Sequence, residues 1–254
     1  MIDVHSHLLP GIDDGSRSVE QSVEVLGRFA AAGVTDVILT PHIKASGILD
    51  YGEEMLTIRQ EAYTALSADA PGEIRLHLGF EIMLDDVLGA KELADRRYSL
   101  ASSRYYLVEF LPSVAMGSAA NVIAHIAHHG VIPVVAHPER YNQLTAAAAA
   151  VWVERGAKLA VDATTLTEAS RRGKRARMLL SQGLVALVAA DNHGGKRSIV
   201  AAARFLEERE CKPVVDALTR GNPQVILDDG EMTDVPPVEL PERFVDSVKM
   251  FLGG

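Results

Sequence analysis

The chain begins with the stretch MIDVHSHLLPGIDDG, residues 1–15, in which an apolar run leads into two histidines. The apolar run predicts a β-strand, and His5 and His7 stand where that strand ends. Side chains two residues apart on a strand point to the same side. The pair is therefore expected to bind a metal ion, although a lone histidine at such a position is usually hydrogen-bonded or on the surface. The glycine-bounded loop that follows contains Asp13 and Asp14, and its pattern also fits an ordinary turn.

Similar apolar runs, rich in β-branched residues, alternate with helical patterns along the rest of the chain. The runs predict strands over Ile2–His5, Asp36–Thr40, Arg75–Gly79, Tyr105–Phe110, Ile132–Ala136, Lys158–Val161 and Val185–Ala189. The patterns between them predict helices over Ser18–Ala32, Tyr51–Ala68, Ser118–His129, Thr145–Arg155, Glu168–Gln182 and Ser198–Arg209. Such alternation is typical of an α/β fold with a mostly parallel sheet. Seven units favour a closed or nearly closed barrel, with a doubly wound open sheet as the alternative.

Local signals support the helix boundaries and a single domain. Ser18 and Gln21 have the spacing of a capping box at a helix start. Glycines stand where four helices should end, at Gly33, Gly130, Gly156 and Gly183. Because no glycine-, serine- or proline-rich linker divides the units, residues 1–254 are expected to form one domain. The acidic, proline-rich tail from Asp228 to Pro241 is expected to cover part of the surface before a last short helix.

Histidine, aspartate and glutamate residues fall at the carboxyl ends of six of the seven predicted strands. These residues are His5, His7, His42, Glu81, Glu109, His137, Asp191 and His193. In parallel α/β folds that edge is where active sites form. Imidazole and carboxylate ligands without thiolate suit Zn²⁺, Mn²⁺ or Fe²⁺, and their number exceeds one tetrahedral site. The pattern therefore predicts two or three metal ions, whereas His77, His125, His128 and His129 are expected to be structural or surface residues.

The net charge, the cysteine count and the distribution of apolar residues argue against several classes of function. The net charge of −9 argues against general nucleic-acid binding, which needs a basic surface. A single cysteine, Cys211, cannot form an internal disulfide, and no apolar stretch approaches the length of a membrane span. With no signal-peptide pattern at the start, a cytoplasmic enzyme is expected. A cysteine-dependent phosphatase would need an arginine six residues after its cysteine, and that position holds Ala217.

With these residues placed, the chain resembles the polymerase and histidinol phosphatase (PHP) superfamily. Residues 1–15 more specifically resemble the bacterial manganese-dependent tyrosine-protein phosphatases of capsule and exopolysaccharide gene clusters, the CpsB/YwqE type. Further matches, in order, are Thr40-Pro41-His42, Gly79-Phe80-Glu81, Leu107-Val108-Glu109-Phe110 and His137-Pro138-Glu139-Arg140-Tyr141. The resemblance runs from Met1 to about Leu206. It implies a distorted TIM-like (β/α)7 barrel that holds three divalent metal ions, with Mn²⁺ expected and Fe or Zn also compatible.

The resemblance also implies how the ligands are divided. The first metal would bind His5, His7, Glu81 and Asp191; the second Glu81, Glu109 and His137; and the third Asp14, His42 and His193. The spacing of residues alone does not separate Asp14 from Asp13. The run Ala190-Asp191-Asn192-His193 departs from the family, which usually has serine before the aspartate and alanine or methionine after it. The stretch before Arg197 is also shorter than usual.

The expected reaction is hydrolysis of a phosphate monoester. A hydroxide shared by two metals would attack phosphorus in line with the leaving oxygen, while the third metal and arginines offset phosphoryl charge. Arg140 is expected to contact phosphate, as is Arg197 or its neighbour Lys196. By resemblance the substrate would be the phosphotyrosine tail of a bacterial tyrosine kinase that controls polysaccharide export. The alternatives are a histidinol-phosphatase-type enzyme for small molecules, a PHP phosphodiesterase or nuclease, and a non-catalytic binding module.

Overall fold

The computed structural model describes residues 1–209 and 211–240 of the chain. In this part the strands are β1 (Ile2–Ser6), β2 (Asp36–Leu39), β3 (His42–Lys44), β4 (Arg75–Leu78), β5 (Glu81–Met83), β6 (Tyr105–Glu109), β7 (Ile132–Ala136), β8 (Lys158–Asp162) and β9 (Val185–Ala189). The helices are α1 (Val19–Ala31), α2 (Ala45–Asp69), α3 (Ala90–Leu93), α4 (Met116–His128), α5 (Ala146–Glu154), α6 (Ala163–Thr167), α7 (Arg171–Ser181), α8 (Val200–Glu207), α9 (Lys212–Asp216) and α10 (Asn222–Leu227).

Every strand pairing is parallel, and the strands form two sheets. One sheet has the order β1-β2-β4, and the other has the order β3-β5-β6-β7-β8-β9. Strands β2 and β3 follow each other across Thr40-Pro41, and β4 and β5 across Gly79-Phe80. Because proline lacks an N–H group, Pro41 cannot donate to the ladder and interrupts its strand. The expectation of an α/β fold with parallel sheets is confirmed.

All seven predicted strands are present, but the short strands β3 and β5 were missed. The sequence pattern predicted that the second and third strands end at Thr40 and Gly79. In the structure a new strand begins two residues after each of these positions, at His42 and Glu81. Helix α2 begins at Ala45 rather than Tyr51, and its backbone is non-helical at Tyr51, where φ is −145° and ψ is 31°. The short helices α3, α6, α9 and α10 were also not predicted, since five or so residues carry little periodicity. The predicted last short helix lies outside the described residues.

Residues at the start of α1 cap that helix and hold the loop that follows His193. Ser18 accepts a hydrogen bond from the backbone N–H of Gln21, as the spacing predicted. The Gln21 side chain does not complete a capping box, because it accepts from Arg17 N at 2.9 Å and donates to Gly194 O at 3.0 Å. It therefore ties the start of α1 to the loop after His193. The four predicted end glycines all have positive φ, from 67° to 105°.

Helices and tail cover the sheets, and the buried apolar residues of the described chain form three clusters. Strands β6 and β9 are buried on both faces, as is usual for parallel sheets covered by helices. The tail packs against one of these clusters through Val235 and Val238, which are 4% and 3% exposed. Asn222 fixes the tail further, since its side chain donates to Thr233 O and accepts from Thr233 N, both at 3.0 Å. The expected surface-covering tail is thus anchored by two buried valines.

Asp36, a buried residue at the amino end of β2 and at the opposite end of the strands from the candidate ligands, pairs with the exposed Arg75. Its carboxylate accepts two hydrogen bonds from Arg75 at 2.7 and 2.9 Å and contacts His77 at 2.9 Å. Burial disfavours the charged carboxylate, but hydrogen bonds from Arg75 and His77 outweigh burial and lower the pKa of Asp36 to about 2. His77 is therefore a structural residue, as predicted.

We expect Asp36→Asn to reduce the free energy of unfolding by about 1 kcal/mol near neutral pH, because solvent screens the exposed Arg75 and reduces the effect of the pair. The folded pKa of Asp36 lies below the unfolded value, so its stabilisation is complete above about pH 4 and is lost as pH falls towards 2. Urea denaturation of both proteins across pH 7 to about 3 measures the difference. A stability difference that stays constant over this range would contradict the prediction.

Candidate metal centre

Glu81, the first residue of β5, is the centre of the candidate site. Its Oε2 atom lies 3.1 Å from His5 Nε2, 3.2 Å from His7 Nε2 and 3.1 Å from His42 Nδ1. Its Oε1 atom lies 2.7 Å from His137 Nε2. The Glu81 side chain is fully buried. The carboxyl ends of β1 and β7 and the starts of β3 and β5 thus converge on one carboxylate.

Asp191 closes one side of this cluster from the segment that follows β9. Its Oδ1 atom lies 3.6 Å from His5 Nε2, 3.7 Å from His7 Nε2 and 3.6 Å from His193 Nδ1. The N–H of Asp191 donates to His5 O at 2.9 Å. The start and the end of the predicted strand series therefore meet at the site.

Two further carboxylates complete the nine predicted ligands. Glu109 lies 3.7 Å from both His42 and His137, measured between oxygen and ring nitrogen. Asp14 lies 3.5 Å from His42 Nε2 and 3.4 Å from His193 Nε2. Its side chain is 72% exposed, whereas that of Glu109 is 11% exposed. All nine residues singled out in the sequence lie together, with Asp14 at the solvent side.

Two of these residues have a positive φ, a backbone conformation that residues other than glycine rarely adopt. His137 has φ of 34° and Asp191 has φ of 46°. Such conformations cost about 1–3 kcal/mol each and cluster at functional sites. Hydrogen bonds hold both: His137 N donates to Ala160 O at 2.8 Å, and Asp191 N donates to His5 O. The neighbouring strands therefore fix the directions of these two side chains.

The charges of the cluster shift pKa values strongly. Burial lowers the pKa of His7, but hydrogen bonds to Asp13 and Glu81 outweigh it and raise the pKa to about 10. Burial and the nearby negative charge of Glu81 raise the pKa of Glu109 to about 7. Burial opposes charge on Glu81, but the surrounding histidines hold its pKa well below the usual range. Because metal ions need deprotonated ligands, cations must compete with protons at His7 and Glu109.

The donor atoms suit divalent cations. Glu81 Oε2 and Asp191 Oδ1 are buried and accept no well-directed hydrogen bond from the described residues. A buried carboxylate oxygen without such a donor is costly, and a cation would satisfy it. Three overlapping groups offer atoms within 4.8 Å of one another: His5, His7 and Glu81; His42, Glu81 and Glu109; and His7, Asp14, His42 and His193. His7 and His42 each belong to two groups, whereas the resemblance assigned each to one metal.

Asp13 has a distinct position that the sequence did not reveal. Its carboxylate lies 2.7 Å from His7 Nδ1 and accepts hydrogen bonds from His42 N at 3.1 Å and Gly15 N at 2.9 Å. Burial opposes its charge, but the contact with His7 outweighs burial and lowers the pKa of Asp13 to about 2. A carboxylate behind a ligating histidine fixes its tautomer and orientation. Asp14 faces the cluster, and Asp13 holds His7 from behind.

We expect Asp13→Asn to weaken metal binding about 10–100-fold, because an amide cannot replace both carboxylate oxygens. The measurement is metal titration of the stripped protein, followed by phosphate release at saturating metal. Asp86→Asn, in an exposed loop, is the matched control. Unchanged metal affinity in Asp13→Asn would show that His7 needs no such support.

Two arginines meet at the same oxygen of Asp191. Arg140 pairs with Asp191 Oδ2 through Nη2 from the turn after His137. Arg197 Nη1 lies 2.7 Å from the same oxygen and 2.8 Å from Asp162 Oδ2. Lys196, the alternative cation, is exposed. The structure therefore brings both predicted arginines, Arg140 and Arg197, to the edge of the cluster.

Histidines and carboxylates cluster at the ends of parallel strands, the edge where α/β enzymes have their active sites. The fold and the cluster together indicate a metal-binding α/β protein. The chain belongs to the CpsB/CapC family of capsular polysaccharide synthesis, whose family model matches residues 1–228. It is 28% identical to the tyrosine-protein phosphatase YwqE of Bacillus subtilis, over 96% of this chain and 98% of that protein. It is also 28% identical to the tyrosine-protein phosphatase CpsB of Streptococcus pneumoniae, over 76% and 83% of the two chains.

Solved structures agree with this assignment. A crystal structure described as belonging to YwqE from Bacillus subtilis and CpsB from Streptococcus pneumoniae, "unique metal-dependent tyrosine phosphatases", superposes with a TM-score of 0.75. It is 25% identical and covers 95% of this chain and 100% of that chain. An organophosphorus hydrolase variant from Deinococcus radiodurans, 13% identical with a TM-score of 0.54 over 89% and 91% of the chains, shares the fold alone. Among the described residues, no helix combines the length and apolarity needed to cross a membrane.

Proposed function

We propose that the chain is a metal-dependent phosphomonoester hydrolase whose substrate is phosphotyrosine in a protein. The observation that most strongly supports this proposal is the position of the Glu81 carboxylate, which is buried among four histidines. Two arginines contact Asp191 beside it. Membership of the CpsB/CapC family supports the proposal, as do relatives named tyrosine-protein phosphatases. The proposed reaction is direct attack of an activated water on phosphorus, without a covalent enzyme intermediate.

We infer that three divalent ions, with Mn²⁺ expected and Fe or Zn as alternatives, bind this cluster. The residues that would hold them are His5, His7, Asp14, His42, Glu81, Glu109, His137, Asp191 and His193. Divalent cations would supply a water of lowered pKa and positive charge beside the phosphoryl oxygens. Two of the three donor groups share Glu81, and the third shares His7 and His42 with them, which supports more than one ion.

The protein's own cations are proposed to bind the phosphoryl group. Arg140 and Arg197 approach one oxygen of Asp191 from two different loops. A guanidinium group is planar and can donate to two phosphate oxygens at once. Together the two side chains would orient the phosphoryl group and stabilise the negative charge that builds up on it. The tyrosine oxygen, with an ordinary pKa of about 10, leaves without needing a strong acid.

The exposure of the ligands favours a protein substrate. His42, His193 and Asp14 have side chains that are 36%, 29% and 72% exposed, whereas His5, His7 and Glu81 are buried. One side of the cluster is therefore open to solvent. A phosphotyrosine on a flexible segment can reach an open site, and we propose the tail of a bacterial tyrosine kinase that regulates capsular or exopolysaccharide synthesis. We place this reaction in the cytoplasm.

We also infer that the two sheets close into one distorted (β/α)7 barrel within a single domain, residues 1–254. Gly79 N donates to Leu39 O at 2.9 Å and Glu81 N to Pro41 O at 3.0 Å, which continues pairing across the two strand interruptions. A parallel bridge between Ser6 and Asn192 joins the end of β1 to the segment after β9. Alternate strand residues form an enclosed apolar cluster that includes Ile2, Val4, Ile38, Leu107, Val134, Ala160 and Leu187. A filled interior of this kind is what a small barrel requires.

The test uses Mn²⁺-loaded protein and compares phosphate release from a phosphotyrosine peptide and from histidinol phosphate with the shortening of single-stranded DNA. His137→Ala should abolish the activity, while His128→Ala, on the exposed end of α4, should leave it unchanged. Preference for the peptide would support the proposal. Preference for histidinol phosphate would be consistent with the same metal centre but would indicate a small-molecule substrate. Cleavage of DNA as fast as the peptide is hydrolysed would indicate a phosphodiesterase.

A further inference from the structure

Asp162 is a buried carboxylate at the end of β8, the one predicted strand whose end supplied no candidate ligand. Its side chain is 1% exposed. Oδ1 accepts hydrogen bonds from Thr164 N at 2.8 Å and Thr165 N at 3.0 Å, which caps α6. Oδ2 accepts from Arg197 Nη1 at 2.8 Å. The carboxylate thus uses one oxygen for a helix and the other for a predicted phosphate-binding arginine.

Arg197 needs a partner other than Asp191. Arg197 Nη1 and Arg140 Nη2 both donate to Oδ2 of Asp191, a predicted metal ligand. A cation bound by Asp191 would withdraw negative charge from that oxygen and weaken its hold on both arginines. Asp162 lies outside the predicted ligand set, so its contact with Arg197 would persist. It gives Arg197 an anchor that does not depend on metal binding.

The anchor is itself fixed on several sides. Asp162 N donates to Glu139 Oε1 at 3.0 Å, and Glu139 is fully buried. Asp162 also pairs in register with Ala189 of β9, two residues before Asp191. A guanidinium group held on a rigid carboxylate loses less conformational freedom when it binds an anion. The geometry therefore favours an arginine that is oriented before the phosphoryl group arrives.

We propose that Asp162 is a positioning residue that holds Arg197 in the orientation needed to bind the phosphoryl group of the substrate. The inference rests on the proposed phosphatase function. It adds the residue that orients Arg197 for its contact with the phosphoryl group. Asp162 acts through Arg197 and touches neither the substrate nor a metal.

The experiment compares four Mn²⁺-loaded proteins: wild type, Asp162→Asn, Arg197→Ala and the double variant. Asparagine keeps an oxygen for the α6 cap but removes the charge that holds Arg197. For each protein, inorganic phosphate affinity, kcat and KM for the phosphotyrosine peptide, and metal content are measured. Asp162→Asn should weaken phosphate binding and lower kcat/KM about tenfold with unchanged metal content. In the Arg197→Ala background, the same substitution should cost nothing further.

Asp36→Asn is the matched control, because it changes another buried aspartate that pairs with a more exposed arginine, at the opposite strand ends. It should lower stability while phosphate affinity stays at the wild-type value. The inference is overturned if Asp162→Asn binds phosphate as wild type does, or if losses in the double variant are additive. Wild-type protein that binds no phosphate would also overturn it. Phosphate binding without hydrolysis of the peptide would contradict only the proposed substrate.

Discussion

Glu81→Gln should reduce phosphate release about a thousandfold or more and lower the metal content of the purified protein. Glutamine has the same shape but no charge, and its amide nitrogen cannot bind a cation. Glu81 lies within 3.2 Å of His5, His7 and His42 and 2.7 Å from His137, so its loss affects four other predicted ligands at once. Steady-state kinetics and elemental analysis of the same sample measure both effects.

Glu154→Gln, at the exposed end of α5, makes the same chemical change away from the cluster. It should leave activity and metal content unchanged. Near-wild-type metal content together with full activity in Glu81→Gln would contradict a metal centre built on Glu81. Loss of activity with full metal content would instead mean that Glu81 serves the reaction without being needed for metal retention.

Arg140→Ala should lower kcat/KM about 100- to 1000-fold while metal content stays constant. The guanidinium group is held over the cluster by its pairing with Asp191 and by the turn in which Arg140 N donates to His137 O at 2.9 Å. Burial lowers the pKa of Arg140, but Asp191 and other nearby carboxylates outweigh burial and raise it. The side chain therefore stays positively charged throughout the working pH range.

Arg140→Lys separates charge from geometry. Lysine keeps the positive charge but lacks the planar fork, so activity should recover only in part. Arg155→Ala, at the exposed end of α5, controls for the loss of an arginine elsewhere. Equal activities of the lysine variant and wild type would mean that one positive charge suffices, and unchanged activity of Arg140→Ala would exclude the predicted phosphate contact.

The candidate ligands at the strand ends could be predicted for two reasons: buried strands are recognisable in the sequence, and the ends of parallel strands lie at one edge of the sheet. Apolar strands such as Tyr105–Glu109 are easy to recognise, and a carboxylate or imidazole at the end of a buried run stands out. Parallel strands then bring those ends to one edge, whatever the details of the connecting loops. This is why residues as distant as His5 and Asp191 could be assigned to one site before any contact was known.

Asp13, Asp14 and Asp162 mark where such reasoning stops. Asp13 and Asp14 are adjacent and chemically identical, and only the path of the loop decides which faces the cluster and which holds His7. Asp162 caps the short helix α6, which the sequence pattern did not predict, so nothing in the sequence marked this residue. Its second contact, with Arg197, depends on tertiary packing between segments 35 residues apart. The short strands β3 and β5 were missed for a similar reason, since their pairing exists only after the sheet has formed.

The joining of β1 to the segment after β9 has a consequence for biosynthesis. Asp3 Oδ1 accepts a hydrogen bond from Ala190 N at 2.8 Å across a sequence separation of 187 residues. The first histidines emerge from the ribosome long before the aspartate that completes their surroundings. Contacts of such high sequence separation form slowly because they require closure of a long loop. The cluster of histidines and carboxylates is therefore expected to be complete only late in folding, once Asp191 and His193 have joined the residues that follow β1.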